Sequence, residues 1–336
     1  MGAEPILELK EYTLFFESNH VRYSILDAIS LTVKRGELVG IVGESGCGKT
    51  MLGNSISGLL PDNVKGIQGQ MRFFGVDLLS LSAKKRNKYK GSKISMVFQN
   101  PNTSLNPVIS IGRQMTDVIR QHQPVHRSQA KSIALKWMSE VGLPDPEEVF
   151  RSYPHQLSGG MKQRVVIAMA LSCNAELIIA DEPTTALDVT TQYQILQLIQ
   201  KLQKEHRVTF LLITHDMGVA SYLCDRLAVM YGGRIIEAGP TGLVLKQPVH
   251  PYTQGLLKCL PGQGKTVEDL YTIPGVVPSP VDFPEGCRFS TRCEYRNSKC
   301  SEQKPPWQTD DEHPGQWYAC HYPAGGEEKS IAAPFG

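Results

Sequence analysis

No apolar run in this chain is long enough to span a bilayer. The runs Leu177 to Ala180 and Thr209 to Ile213 cover four and five residues, against the roughly 20 that a membrane helix needs. Any work at a membrane therefore requires spans from other subunits. The first residues, Met1-Gly2-Ala3-Glu4-Pro5-Ile6, lack the basic and apolar regions of a secretory leader, so a cytosolic location is the expectation. Charge of one sign is also missing. Among 336 residues the net charge is only +2, which gives no global argument for nucleic acid or an anionic surface. No internal repeat is visible, and Gly43 to Thr50 is the single phosphate-type loop. Among the four C-terminal cysteines the C-x₂-C spacing of common zinc ribbons is missing too.

What is present is a soluble globular composition, 41% hydrophobic and 20% charged, long enough for one large domain plus an appendage. Apolar runs and turn residues predict strands over Ile6 to Phe16, Ile29 to Val33, Glu37 to Val42, Gly69 to Gly75 and Ile94 to Phe98, with a turn at Arg35-Gly36. Helical character runs from Lys49 to Leu60 and from Ile111 to Gly142, where Ser128 is read as a cap and Ile133, Trp137, Met138 and Val141 share a face. Further on come a helix over Ser158 to Leu171, a strand over Leu177 to Ala180, a helix over Val189 to His206 and a strand over Val208 to Ile213. Arg226 to Glu237 reads as a hairpin turning at Gly232-Gly233. Between Pro261 and Gly286 five prolines indicate an extended linker or wrapped arm. The last dozen residues are expected to be mobile.

The segment Gly43-Glu44-Ser45-Gly46-Cys47-Gly48-Lys49-Thr50 matches G-x-x-x-x-G-K-[ST] between a strand and a helix. In that context backbone N–H groups converge on phosphates, Lys49 adds a point charge, and Thr50 offers a hydroxyl to Mg²⁺. Leu177 to Ala180 is an apolar strand running into Asp181-Glu182. Asp181 is positioned to reach Mg²⁺ through water and Glu182 to orient or deprotonate an attacking water. Gln99 and His215 each follow a strand, where they can sense metal or γ-phosphate. A helix-capping turn, a surface glutamine and a structural histidine are the bland alternatives for these three signals. Leu157-Ser158-Gly159-Gly160-Met161-Lys162-Gln163-Arg164 supplies a second glycine-rich anion nest at a helix start. Lys84-Lys85-Arg86, with Lys88, Lys90 and Lys93, is read as a solvated basic loop.

In the order phosphate loop, Gln99, Leu157 to Gly160, Asp181-Glu182, Ala186-Leu187-Asp188 and His215, residues 6 to 255 resemble an ABC-type ATPase subunit. The resemblance implies an α/β fold: a P-loop core with a RecA-like mixed sheet, an antiparallel β subdomain, a helical signature subdomain at about 102–172 and a small Cys-rich C-terminal extension. The implied division is 1–255 for the nucleotide-binding domain and 256–336 for the proline-rich linker and C-terminal domain. Catalysis is carried over to Glu182 and His215, ATP binding to Gly43 through Thr50 with Met51 and Gln99, and Mg²⁺ to Thr50, Gln99 and Asp181. Head-to-tail pairing implies that Ser158, Gly159, Gly160 and Asp188 act in trans. An adenine-stacking aromatic is implied at Phe16, with Tyr23 as the other choice. Met51 departs from the Ser or Thr usual in the family, which predicts a modest loss of affinity.

His250-Pro251-Tyr252-Thr253, Ile273-Pro274-Gly275, Pro278-Ser279-Pro280 and Gly286-Cys287-Arg288-Phe289 are similar to the tail of oligopeptide and dipeptide importer ATPases, and the chain resembles their "D" type. The resemblance implies a related "F"-type ATPase partner, two membrane permeases, an external solute-binding protein, a peripheral place on the cytoplasmic face and no nucleic acid. Nickel or another small solute is the alternative cargo, and a soluble non-transport ATPase the more distant one. Cys287, Cys293, Cys300 and Cys320 follow C-x₅-C-x₆-C-x₁₉-C, which leaves a [4Fe–4S] cluster, Zn²⁺, disulfides and free thiols open. The other four cysteines, Cys47, Cys173, Cys224 and Cys259, are expected to be reduced.

Overall fold

The computed structural model describes residues 4–18, 20–185, 187–260, 271–310 and 313–323. In chain order it forms β1 (Pro5–Ser18), β2 (Val21–Lys34), β3 (Leu38–Val42), α1 (Lys49–Ser57), β4 (Val64–Phe73), β5 (Val76–Asp77), α2 (Ala83–Arg86) and β6 (Ile94–Val97). Five helices follow: α3 (Pro101–Ser104), α4 (Ile111–His122), α5 (Arg127–Glu140), α6 (Pro146–Arg151) and α7 (Gly159–Ser172). Then come β7 (Leu177–Asp181), α8 (Val189–His206), β8 (Thr209–Thr214), α9 (Met217–Leu223), β9 (Arg226–Tyr231), β10 (Arg234–Pro240), α10 (Thr241–Lys246), α11 (Pro251–Lys258), α12 (Ser298–Glu302), β11 (Gln308–Asp310) and β12 (His313–Tyr318).

Two sheets organise these elements among the described residues. One is antiparallel, β2-β1-β4-β5. The other is mixed, β11-β12-β10-β9-β3-β8-β7-β6, with β9, β3, β8, β7 and β6 parallel to one another. The parallel strands are apolar at nearly every position because both faces are covered. Phe210 and Leu212 of β8 join a core built with α4, α5, α7 and α8, whereas Leu211 and Ile213 pack with α1 and the antiparallel sheet. Successive strand residues point to opposite faces, so one six-residue strand feeds two cores.

Most of the expected elements stand, with shifted ends. β2 begins at Val21, well before Ile29, because its first half pairs with the last residues of β1. The expected cap at Ser128 is corrected: α5 starts at Arg127, with His126, two residues earlier, as the N-cap and Gln129 reaching back to its backbone N–H. The expected face is corrected in part, since Ala130, Ala134, Met138 and Val141 are fully buried while Ile133 and Trp137 pack at the margin. The C-terminal part packs onto the body of the protein. β12 pairs with β10, so strands from beyond residue 300 extend the central sheet. Residues 261–270 of the Pro261–Gly286 stretch and the last dozen residues lie outside the described residues, as does Ala186. No helix of the described residues is long and apolar enough to cross a membrane.

Candidate active site and cysteine cavity

Parallel strands deliver their carboxyl ends to one edge of the sheet, where ligands bind in open α/β folds. At that edge β3 runs into the 43–50 loop, β6 into Gln99, β7 into Asp181-Glu182 and β8 into His215. Gly43 must lack a side chain, since a Cβ there would stand 2.2 Å from the Met230 carbonyl oxygen on β9. Lys49 opens α1 and is 5% exposed. Its ammonium donates to the carbonyls of Gly43 (2.7 Å) and Glu44 (2.8 Å), closing the loop on itself. Ser45 and Gly46 are exposed, and Cys47 is buried beneath them.

Thr50 Oγ1 donates to Asp181 Oδ1 at 3.3 Å. Asp181 is 4% exposed, and burial, opposed by the Thr50 hydrogen bond, raises its carboxyl above the ordinary range. A buried carboxylate and a hydroxyl form an all-oxygen donor set that suits a hard cation such as Mg²⁺. Glu182 has φ +45°, a left-handed conformation that is costly for a side-chain-bearing residue and clusters at functional sites. Its amide donates to the Ile213 carbonyl at 2.8 Å, which fixes the turn against β8. Oε2 accepts from Gln99 Nε2 (2.9 Å) and from Thr185 Oγ1 (2.9 Å), and Oε1 lies 2.8 Å from His215 Nδ1. Burial acts to raise the Glu182 carboxyl, but the His215 and Thr185 hydrogen bonds prevail and hold it low. It is therefore an anion at neutral pH. The structure thus joins Thr50 to Asp181 and Gln99 to Glu182 and His215. Thr185 was missed as a partner of Glu182, although it stands only three residues further on.

Ser158 is the N-cap of α7, its hydroxyl accepting from the Met161 amide at 3.3 Å. Ser158 and Gly159 are exposed. Among the described residues no hydrogen bond or ion pair ties Ser158, Gly159 or Gly160 to the 43–50 loop of the same chain. Gly160 has its own reason to be glycine: a Cβ would meet Thr191 Cγ2 at 2.5 Å. Asp188 caps α8 through the Thr191 amide at 3.0 Å and is otherwise exposed. Phe16 and Tyr23 stack on each other across β1 and β2, centroids 5.4 Å apart, and both are half-buried. Met51 packs at the margin of the core.

Cys287, Cys293, Cys300 and Cys320 line one small cavity together with His250 and Phe289. All four are unpaired as thiols, like Cys47, Cys173, Cys224 and Cys259. Burial pushes the Cys287 thiol up to about 11 and Cys320 up to about 12. Among the described residues the one group of three or more His, Cys, Asp or Glu ligand atoms within 4.8 Å of one another is Glu140, Glu205 and His206. Four thiolates on one zinc would stand only about 3.8 Å apart, given tetrahedral Zn–S bonds of about 2.3 Å. No three of the four sulfurs lie within 4.8 Å of one another, so as placed they are not set around one zinc. His250 adds a second observation. It is 1% exposed, its Nδ1 accepts from the Tyr252 amide at 3.0 Å, and burial lowers its pKa to about 3. The neutral ring therefore carries its proton on Nε2, a buried donor without a partner among the described residues, beside the four sulfurs.

The C-terminal residues also touch the loop. The Glu44 amide donates to Tyr252 Oη at 2.9 Å, and Arg292 Nη1 and Nη2 donate to the two Glu44 carboxylate oxygens at 2.6 and 3.0 Å. Neither contact was foreseen, although Tyr252 stands in the conspicuous His250-to-Thr253 run and Arg292 next to Cys293.

The sequence matches the family model described as "ABC transporter" over residues 26–185 and that described as "Oligopeptide/dipeptide transporter, C-terminal region" over residues 236–300. It is 44% identical over 322 residues to the probable D,D-dipeptide transport ATP-binding protein DdpD of Escherichia coli (strain K12), covering 96% of this chain and 98% of that one. To the dipeptide transport ATP-binding protein DppD of the same organism it is 41% identical over 318 residues, 95% and 97% of the two chains. Among solved structures, the ATP-binding cassette MJ0796 in a dimeric post-hydrolysis state with ADP and Pi superposes with a TM-score of 0.61 at 30% identity, covering 70% of this chain and 98% of that one. The cbiO1 structure from Clostridium perfringens gives a TM-score of 0.61 at 27% identity, covering 73% and 96%.

Proposed function

This chain belongs to the ABC transporter family, among the ATP-binding proteins with an oligopeptide/dipeptide transporter C-terminal region, and from that membership we propose how it drives peptide import. It is an ATPase and the energy-coupling subunit of a peptide importer. The observation that carries the site assignment is the convergence of Thr50, Asp181, Gln99, Glu182 and His215 at the carboxyl edge of four parallel strands.

ATP takes the Lys49 ammonium away from the Gly43 and Glu44 carbonyls and onto its phosphates, with the amides of residues 43–51 around them and the adenine against Phe16. Thr50, Asp181 and Gln99 would hold Mg²⁺, which would supply positive charge to offset that of the phosphates. Glu182 accepts a proton from the attacking water as its oxygen bonds the γ-phosphorus and the bond to the ADP oxygen breaks. ADP and inorganic phosphate leave. His215 holds the Glu182 carboxylate and offers charge stabilisation to the γ-phosphoryl oxygens. The exposed Ser158 hydroxyl and the Gly159 and Gly160 amides, at a helix N-terminus, serve the nucleotide of the opposite subunit, with Asp188 at the junction.

The domain division is 1–255 and 256–336, with the helical subdomain at about 102–172. The partners are a related "F"-type ATPase and two permeases, which hold this subunit at the cytoplasmic face, with a solute-binding protein delivering the peptide. Cys287, Cys293, Cys300 and Cys320 would hold a [4Fe–4S] cluster, a structural staple for the proline-rich C-terminal part. Four thiols suit either group, and it is their spread, with no three sulfurs within 4.8 Å of one another, that supports the cluster over Zn²⁺.

The test is labelled-peptide uptake in cells in which this chain is replaced by Glu182→Gln, with ATP binding followed on the purified importer. Expected are retained ATP binding, hydrolysis lowered by about 10²–10⁴-fold and no peptide uptake. Nickel uptake in place of peptide uptake by the native importer would overturn the cargo, and native-rate hydrolysis by the variant would overturn the role of Glu182.

A further inference from the structure

Glu44 is an unspecified position in the phosphate-loop pattern, yet it is the most heavily held residue of the loop. Its carbonyl accepts from Lys49 at 2.8 Å, its amide donates to Tyr252 Oη at 2.9 Å, and its carboxylate takes the two-pronged contact from Arg292 at 2.6 and 3.0 Å. The Arg292 side chain is 4% exposed and that of Glu44 31%. The same guanidinium donates through Nε to the Pro274 carbonyl at 2.7 Å and through Nη2 to Ile273 and Gly275 at 3.1 and 3.2 Å. Tyr231, Tyr252 and Phe289 pack ring against ring beneath it, with centroids 4.7 to 5.3 Å apart. Phe289 in turn lines the cysteine cavity.

We infer that Arg292 is a positioning residue for the nucleotide loop, acting through Glu44. The inference rests on the reading of residues 43–50 as the ATP site. Arg292 touches no phosphate-binding amide itself. Its part follows from what ATP displaces: once Lys49 turns to the phosphates, Tyr252 and Arg292 alone among these contacts still hold residue 44. A planar two-pronged pair fixes the carboxylate in direction as well as distance. The loop amides then meet the phosphates already oriented, without the cost of ordering the loop at binding. The C-terminal region is thus part of the ATP site of its own subunit, and the 273–275 segment and the cysteine-bearing segment are braced through the same guanidinium.

The experiment is steady-state ATP hydrolysis by the complete importer carrying Glu44→Gln, Arg292→Met or both, with melting temperature and iron content measured on each. Each single change is expected to raise KM for ATP by about tenfold, the scale of a slight loop misplacement. The turnover number should stay within about twofold, as for a loss of binding shared by ground and transition states. The double variant should be no worse than the poorer single one, because both changes remove one interaction. Glu44→Gln leaves the 273–275 carbonyls bonded, so its melting temperature and iron content should match the native complex. An unchanged KM in Glu44→Gln, or effects that add in the double variant, would reduce Arg292 to a structural clasp and overturn the inference. If Arg292→Met does not fold, Glu44→Gln decides alone. A native importer without ATPase activity would instead sink the reading of the site itself.

Discussion

Nδ1 of His215 lies 2.8 Å from Oε1 of Glu182, bridging the turns after β8 and β7. The pair joins two residues 33 positions apart in the chain, and it is one of the contacts that keep the Glu182 carboxyl ionised.

That relationship fixes a pH dependence. Removing the His215 hydrogen bond takes away a cause that lowers the Glu182 carboxyl, so its pKa rises toward the value that burial favours. In His215→Ala the acid limb of the kcat/KM profile for ATP should move to higher pH. His215→Gln, which can still donate to Oε1, should move it back. A profile recorded across the acid limb checks this, and a limb that stays in place in the alanine variant counts against it.

Gly160 answers to a second constraint besides its exposed amide. Gly160→Ala would drive a Cβ to 2.5 Å from Thr191 Cγ2, and overpacking of this kind costs about 1–3 kcal/mol. A lowered melting temperature is expected. Thr191→Ser removes the methyl and keeps the amide that Asp188 caps, so the double variant should regain stability. No regain on adding Thr191→Ser would mean that the contact is not the cause.

Asp27 gathers three cations. Arg234 Nε donates to Oδ2 at 2.9 Å, Arg288 Nη2 at 3.1 Å and Lys304 Nζ at 3.2 Å. Burial acts to raise its carboxyl, but Arg234, Arg288 and Lys304 together bring it below the ordinary range. A depressed folded pKa contributes stability above the unfolded value of about 3.9, and this is lost as pH falls through the folded value. Asp27→Asn should therefore destabilise the protein near neutrality, by about 3–5 kcal/mol as for a broken buried pair. The gap to the native protein should close in acid. Denaturant unfolding at pH 7 and in acid measures both, and an equal gap at each pH would contradict the assignment.

For the cysteine cavity, anaerobic preparation of the native importer should give iron and acid-labile sulfide in equal amounts with broad visible absorbance. Cys300→Ser should reduce all three together. A native preparation free of iron and sulfide would remove the cluster. Zinc found in their place would require the four sulfurs to move closer than this structure has them.

The residues that meet at the strand ends are legible because each lies in a short local pattern whose backbone context is also local. The 43–50 loop needs only a strand before it and a helix after it, and Asp181-Glu182 only an apolar strand that stops. Ser128 is not the cap because the helix starts two residues earlier, at His126, whose backbone N–H donates to Gln129 Oε1. A cap motif is set by two or three atoms, which several neighbouring residues can supply. The whole of β2 was not legible, since its first half is a strand through pairing with β1 rather than through an apolar run of its own.

By itself, then, the sequence determined the kind of chemistry and the order of the parts: a phosphate loop, a strand closing in two carboxylates, a capped signature helix and four late cysteines. Local spacing suffices for those. Only the tertiary structure decided who holds whom. Gln99, Thr185 and His215 meet on Glu182 because parallel strands align their carboxyl ends. Arg292 and Tyr252 meet on Glu44, with β12 beside β10, because the chain folds its last segment back onto the central sheet. Contacts across 208 and 248 residues of sequence depend on sheet order and burial, and no local spacing encodes them.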